Sequence, residues 1–191
     1  MQLMLVARNR MILLATFLFM AATTHAVSEN PPPTNPLAGY GGYSLATITM
    51  DAEIGKKKNA DKVHKRVIEN MQKHVQPVID EWNTQADAEN PKKLIFEPRI
   101  VSLHKPSGAN RFFAGSLAGQ SRIVIRVRIS EEGSGQVVAE PEFYQHANAV
   151  GAAWSLGATD NVMLERVAEL IATYLTRNYL TAVGGTTGFE K

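Results

Sequence analysis

The stretch Ser121-Arg122-Ile123-Val124-Ile125-Arg126-Val127-Arg128-Ile129-Ser130 decides how this chain folds. Successive side chains of a strand point to opposite faces. Ile123, Ile125, Val127 and Ile129 therefore share one face, while Arg122, Val124, Arg126 and Arg128 share the other. That is a half-buried strand with an aliphatic face and a largely basic one. Glu131-Glu132-Gly133-Ser134-Gly135 follows as a turn, and Gln136 to Phe143 returns as a second strand, so the segment from Gln120 to Phe143 predicts a hairpin. A loop of about three residues would set Arg128 against Glu140 and Arg126 against Glu142. Such cross-strand pairs make an ordinary solvated sheet face, each worth about 0.2–1 kcal/mol. Without them the arginines form an exposed row suited to phosphate or carboxylate.

Upstream, Leu94 to Leu103 reads as a strand interrupted by Pro98, a residue expected at a sheet edge or a bulge. Before it, Val63, Val67, Met71, Val75, Val78 and Trp82 form one stripe of an amphipathic helix over Asp61 to Trp82, which Pro77 should kink or end. His64 and His74 lie about 80° out of alignment on that helix, so they make no i, i+4 metal pair and read as surface histidines. Tyr43 to Met50 favours a strand, and Gly55-Lys56-Lys57-Lys58 a loop. Downstream, Asp160 can cap a helix in which Leu164, Val167, Ala168, Ile171, Tyr174 and Leu175 share a face.

The predicted order is strand-helix-strand-hairpin-helix, and the fold class is α+β, a mostly antiparallel sheet with two helices packed on one face. The chain is 191 residues long. It divides into a signal peptide (1–26), a Pro/Gly-rich leader expected to be an extended spacer (27–42), a single α+β domain (43–180) and a flexible, glycine-rich tail (181–191).

The signal peptide rests on Arg8 and Arg10, the apolar run from Met11 to Ala22, and Ala26 before a polar stretch. The run is shorter than the ~20 apolar residues needed to cross hydrocarbon, so the mature chain is expected to have no transmembrane helix. The reading is a periplasmic protein, with secretion or anchoring by an uncleaved signal as the alternative. Arg8 and Arg10 are the only charged residues in 1–26. With 20 basic and 18 acidic residues in all, the mature chain is formally neutral. It lacks the basic excess of a nucleic-acid binder. There is no cysteine to carry a lipid or a disulfide.

Catalytic motifs are missing. Ser116 in Gly115-Ser116-Leu117-Ala118-Gly119 does not have the spacing of a nucleophile elbow, and no phosphate-binding loop or His-Glu-x-x-His is present. Gly115 and Gly119 read instead as places where a strand bends or another backbone comes close. No cofactor is expected.

The stretch Lys105 to Ser121, followed by the alternating strand and the Ser134-Gly135 turn, resembles an uncharacterised family of small exported bacterial proteins and lipoproteins, a domain of unknown function. Gly108, Arg111, Gly115, Gly119 and Gly135 correspond to its structural motif, and the resemblance covers about residues 93 to 178. Glu131 or Glu132 replaces the family's turn aspartate, and its lipid-bearing cysteine is missing. The resemblance implies envelope location and fold, and assigns no reaction.

Two binding features are left: the stripe Arg122, Arg126, Arg128, and the 17 uncharged residues from Phe143 to Thr159, which include Trp154. They point to a non-catalytic binding or envelope-assembly protein whose partner is another envelope protein, a glycan or a lipid headgroup. The alternative is a small hydrolase with a composite site, which requires Ser116, His104, His146 or Glu97 to converge in a pocket.

Overall fold

A computed structural model describes residues 28–104, 121–147 and 158–189, with the backbone alone described at 158–160. The signal peptide, Gly108, Arg111, Gly115, Ser116, Gly119 and Trp154 lie outside the described residues.

The elements run β1 (Glu29–Asn30), β2 (Tyr43–Leu45), β3 (Thr49–Met50), α1 (Ala52–Gly55), α2 (Ala60–His74), α3 (Gln76–Thr84), β4 (Leu94–His104), β5 (Arg122–Glu131), β6 (Val137–Ala139), β7 (Glu142–His146), α4 (Ala158–Arg177) and β8 (Gly185–Thr186). The class is α+β. The sheet, however, is mixed: β2 and β3 run parallel to β4, whereas β4–β5, β5–β6 and β5–β7 are antiparallel. The parallel pairs arise because the helices α1 to α3 carry the chain back over the sheet before β4 begins, the crossover that parallel neighbours need.

The two long central strands are flanked by interrupted ones, and proline accounts for both interruptions. Pro98 lies inside β4, an interior strand, opposite Val127. It was expected at an edge or a bulge. It is tolerated because the neighbour is broken there: β2 pairs with Leu94–Phe96 and β3 with Arg99–Ile100, so the missing N–H meets a gap in the ladder. The bulge itself falls at Val101, between Ile100 and Ser102, and it keeps Leu103 on the same face as Ile100. On the other side Pro141 separates β6 from β7 while its carbonyl still accepts from Val127 N at 2.9 Å.

Pro77 acts as expected. It sits in the first turn of α3 and splits the predicted single helix at Val75, the C-terminal cap of α2. The predicted stripe is buried at Val63, Val67, Met71, Val75 and Trp82, as are Leu164, Val167, Ala168, Ile171, Tyr174 and Leu175 of α4. These residues form one core with Phe96, Ile100, Ile123, Ile125, Val127, Ile129 and Phe143 of the sheet. Helices cover that face. The arginine-bearing face of β5 is the other one.

Both glycine-rich ends depart from the sequence reading. Residues 28–42 do not hang free as a spacer: Leu37 is fully buried and Leu37 N donates to Asn178 O at 2.9 Å, while β1 pairs with β8. The tail is likewise fixed up to Phe189. At Gly188 the backbone takes φ +77, and a Cβ would stand 2.6 Å from Tyr144 O. Composition suggested fraying, but this glycine is there for a close crossing.

Two asparagines close the sheet edges. Asn30 Nδ2 donates to Glu142 O, and Glu142 N donates to Asn30 Oδ1, both at 2.8 Å. Asn83 does the same for Tyr43 at 2.9 Å. Each amide copies one rung of a ladder, satisfying edge groups that would otherwise invite another strand.

Candidate functional site

The outer face of the sheet is built by the alternation in β5 and its register with both neighbours. Arg126 stands between Arg99 of β4 and Glu142 of β7, and Arg122 between His104 of β4 and His146 of β7. These two rows, four residues apart on β5, lie about 13 Å from each other.

At the Arg126 row the charges are matched. Arg126 Nε donates to Glu142 Oε1 at 2.8 Å, the pair that the hairpin register predicts. This hydrogen bond is the main reason the guanidinium pKa is raised, with partial burial working against it. Arg99 pairs with Asp51. Arg128 bonds Glu97 Oε2 at 3.1 Å and Gly135 O at 3.2 Å, so its carboxylate comes from β4, where Glu140 was expected. Gly135, the one motif glycine among the described residues, occupies the β5–β6 turn at φ +68. The side chains of Arg126, Glu142, Arg128 and Glu97 are all 40–46% exposed. Such pairs contribute at most about 1 kcal/mol each.

Arg122 is different. It has no carboxylate partner among the described residues, and its Nε is shut off from solvent without a hydrogen-bond acceptor. As a residue Arg122 is half-buried, as Arg128 is, and the Nε is the atom closed off. Tyr144, one row along on β7, completes the surroundings: its ring lies 5.8 Å from that of His146 and 5.1 Å from Phe189. Burial raises the Tyr144 pKa, and the Arg122 charge and a side-chain hydrogen bond with Arg122 oppose the rise. Neither 105–120 nor 148–157, which continue from His104 and Ala147, contains an aspartate or a glutamate, whereas Glu190 follows Phe189 outside the described residues. An unsatisfied buried donor costs about 1–3 kcal/mol.

Of the proposed composite set, Ser116 lies outside the described residues, and the described members do not form one cluster. Glu97 lies seven residues from His104 along β4 and is engaged by Arg128, while His104 and His146 stand on opposite sides of Arg122.

Sequence reasoning missed two other places. His74 is not a surface histidine: its Nε2 lies 3.2 Å from Glu165 Oε1 at the α2–α4 contact, and the donor atoms of His74, Glu165 and Glu169 fall within 4.8 Å of one another. Lys73 already holds Glu165, and together with His74 it lowers the Glu165 pKa. His64 likewise reaches Ile48 O at 2.8 Å. The Glu165–Glu169 spacing was a readable signal, but its meeting with His74 was not. The second place is a groove of about 490 Å³ between α3 and the end of α4, lined by Val78, Trp82, Tyr179 and Leu180, with Leu180 78% exposed.

No family model matches the chain, and no curated protein does. Solved structures similar to it include the PelC dodecamer from Paraburkholderia phytofirmans, at TM-score 0.39 and 8% identity over 81% of this chain and 96% of that one. Another is a DUF330 protein from Xanthomonas campestris, at TM-score 0.41 and 14% identity over 76% of this chain and 86% of that one. A minor lipoprotein from Acinetobacter baumannii gives TM-score 0.37 and 13% identity over 75% of this chain and 98% of that one. Among the described residues no helix is long and apolar enough to cross a membrane.

Proposed function

We propose that the protein is exported and acts as a non-catalytic binding protein of the cell envelope, taking an anionic group of another envelope component at the Arg122 end of the outer sheet face. Export is supported by Arg8, Arg10, the Met11 to Ala22 run and Ala26. The observation that carries the binding site is the contrast on β5: Arg126 and Arg128 are neutralised, while Arg122 is a guanidinium with a desolvated, unpartnered Nε. Arg122 as a whole is only half-buried, and guanidinium is the group suited to carboxylate and phosphate.

The test is sedimentation of the purified mature protein with envelope fractions across a salt series. Arg122→Gln should lose salt-sensitive association, and the double variant Arg126→Gln/Arg128→Gln should keep it. Loss in the double variant with retention in Arg122→Gln would overturn the site. Mass spectrometry of the native protein should find an N-terminus at or near Val27, and an intact Met1 chain in the membrane would overturn cleavage.

A further inference from the structure

Resting on that reading, we infer that His104, Arg122 and His146 together form a phosphate-ester subsite whose grip tightens as the pH falls. The three residues are directly opposite one another on β4, β5 and β7, a basic row across three adjacent strands. Directly opposed Cβ atoms lie about 4.5–5.5 Å apart. His104 and His146 are thus about two strand spacings from each other, too far to chelate one metal ion but placed on either side of an oxyanion held by Arg122. A tetrahedral phosphate has oxygens enough for donors from both sides and from the guanidinium, and guanidinium matches its geometry with two parallel N–H groups.

Histidine is the side chain whose charge changes between about pH 5 and 8. Neutral, each imidazole offers a single N–H donor, and protonated it offers two donors and a charge. Among the described residues, the carboxylates nearest the row are already held by other cations. On β7, Tyr144 is neutral, its pKa raised mainly by burial. Glu142 is taken by Arg126, and on the β4 side Asp51 is taken by Arg99. Lys57, from the loop before α2, donates to Leu103 O at 2.6 Å, adding positive charge beside His104. From the C-terminal segment, Phe189 sets its ring edge-on to Tyr144, and Glu190, which follows it, lies outside the described residues. Protonation of both imidazoles would add two donors and two positive charges beside Arg122.

The test uses a phosphodiester, whose single charge is constant over the range, so that any pH dependence belongs to the protein. Calorimetry with glycerophosphoglycerol should give about tenfold tighter binding at about pH 5.5 than at about pH 7.5. His104→Gln/His146→Gln should remove that gain, and Arg122→Gln should abolish binding at both pH values. A second readout needs no variant: in the wild-type protein the NMR titration midpoints of both imidazoles must rise when the diester is added, because a ligand that prefers the charged form stabilises it. Phosphatidylcholine vesicles carrying phosphatidylglycerol form the second arm. Binding to vesicles far tighter than to the soluble diester identifies a lipid headgroup as the source, and equal binding identifies a soluble ester.

Equal affinity at both pH values, with binding still lost in Arg122→Gln, would overturn the histidine role and leave the Arg122 site standing. Failure of the wild type to bind either probe, while Arg122→Gln still loses envelope association, would overturn the phosphate chemistry alone. Unimpaired envelope association of Arg122→Gln would remove the site itself.

Discussion

The two faces of β5 contain the same number of bulky side chains but use them differently. On the inner face Ile123, Ile125, Val127 and Ile129 are at most 1% exposed and lock the sheet to the helices. On the outer face Arg126 and Arg128 stand half in solvent with their carboxylates, and Arg122 has an unpartnered nitrogen. The inner face holds stability and the outer face holds little of it. A chain can thus vary its outer row without unfolding, which is what a binding surface requires.

Removing inner-face volume should break the fold's energetics most. Phe143, directly opposite Ile125 on β7, is fully buried and meets Tyr174 edge-on at 5.6 Å. Phe143→Ala should cost about 3–5 kcal/mol in chemical denaturation, because the relaxed core does not refill the space of a ring.

Alkaline pH probes the same side without a mutation. Burial pushes the phenols of Tyr43 and Tyr174 up to about 12. The unfolded phenol titrates near 10. A raised folded pKa stabilises fully below the unfolded value and loses that contribution as pH rises through the folded one. Melting temperature should therefore fall steeply between about pH 10 and 12, at a cost on the order of 2 kcal/mol per phenol. A flat profile to about pH 12 would show that these rings ionise without leaving the core.

The edge of β7 lies between the two faces in expected effect. Asn30→Ala removes both hydrogen bonds to the Glu142 backbone and leaves that N–H unpaired, so a loss of about 1–3 kcal/mol is expected. Hydrogen exchange should quicken at Glu142 and at its register partner Arg126 before it does in the rest of the sheet.

Outer-face changes should be smallest, and they sharpen the contrast. Arg128→Gln should lose at most about 1 kcal/mol. Arg122→Gln should lose at most about 1 kcal/mol, since the Nε has no acceptor and what is given up is the interaction with Tyr144. A loss above about 1 kcal/mol for Arg122→Gln would mean that this side chain supports the fold, and the division between the faces would not hold at that end.

The strand at Arg122–Glu131, the Arg126–Glu142 register, the helix break beside Pro77 and the core stripes of α2 and α4 were all legible in the chain. The signals are local: period two, period near 3.6, a turn rich in glycine, and a residue lacking an N–H. The candidate site was legible only as an undivided stripe. Period two places Arg122, Arg126 and Arg128 on one face, but it says nothing of what β4 brings opposite them.

What the sequence by itself determined is therefore the inner face of each element and the α+β class, because burial is set by which residues repeat with the period of the backbone. Only the tertiary structure decided that β2 and β3 run parallel to β4, that both glycine-rich ends are tied down, that Glu97 neutralises Arg128, and that His104 and His146 flank Arg122. Each of these is a pairing between segments far apart in the chain. Partner and direction depend on crossover connections and register, which no local pattern encodes.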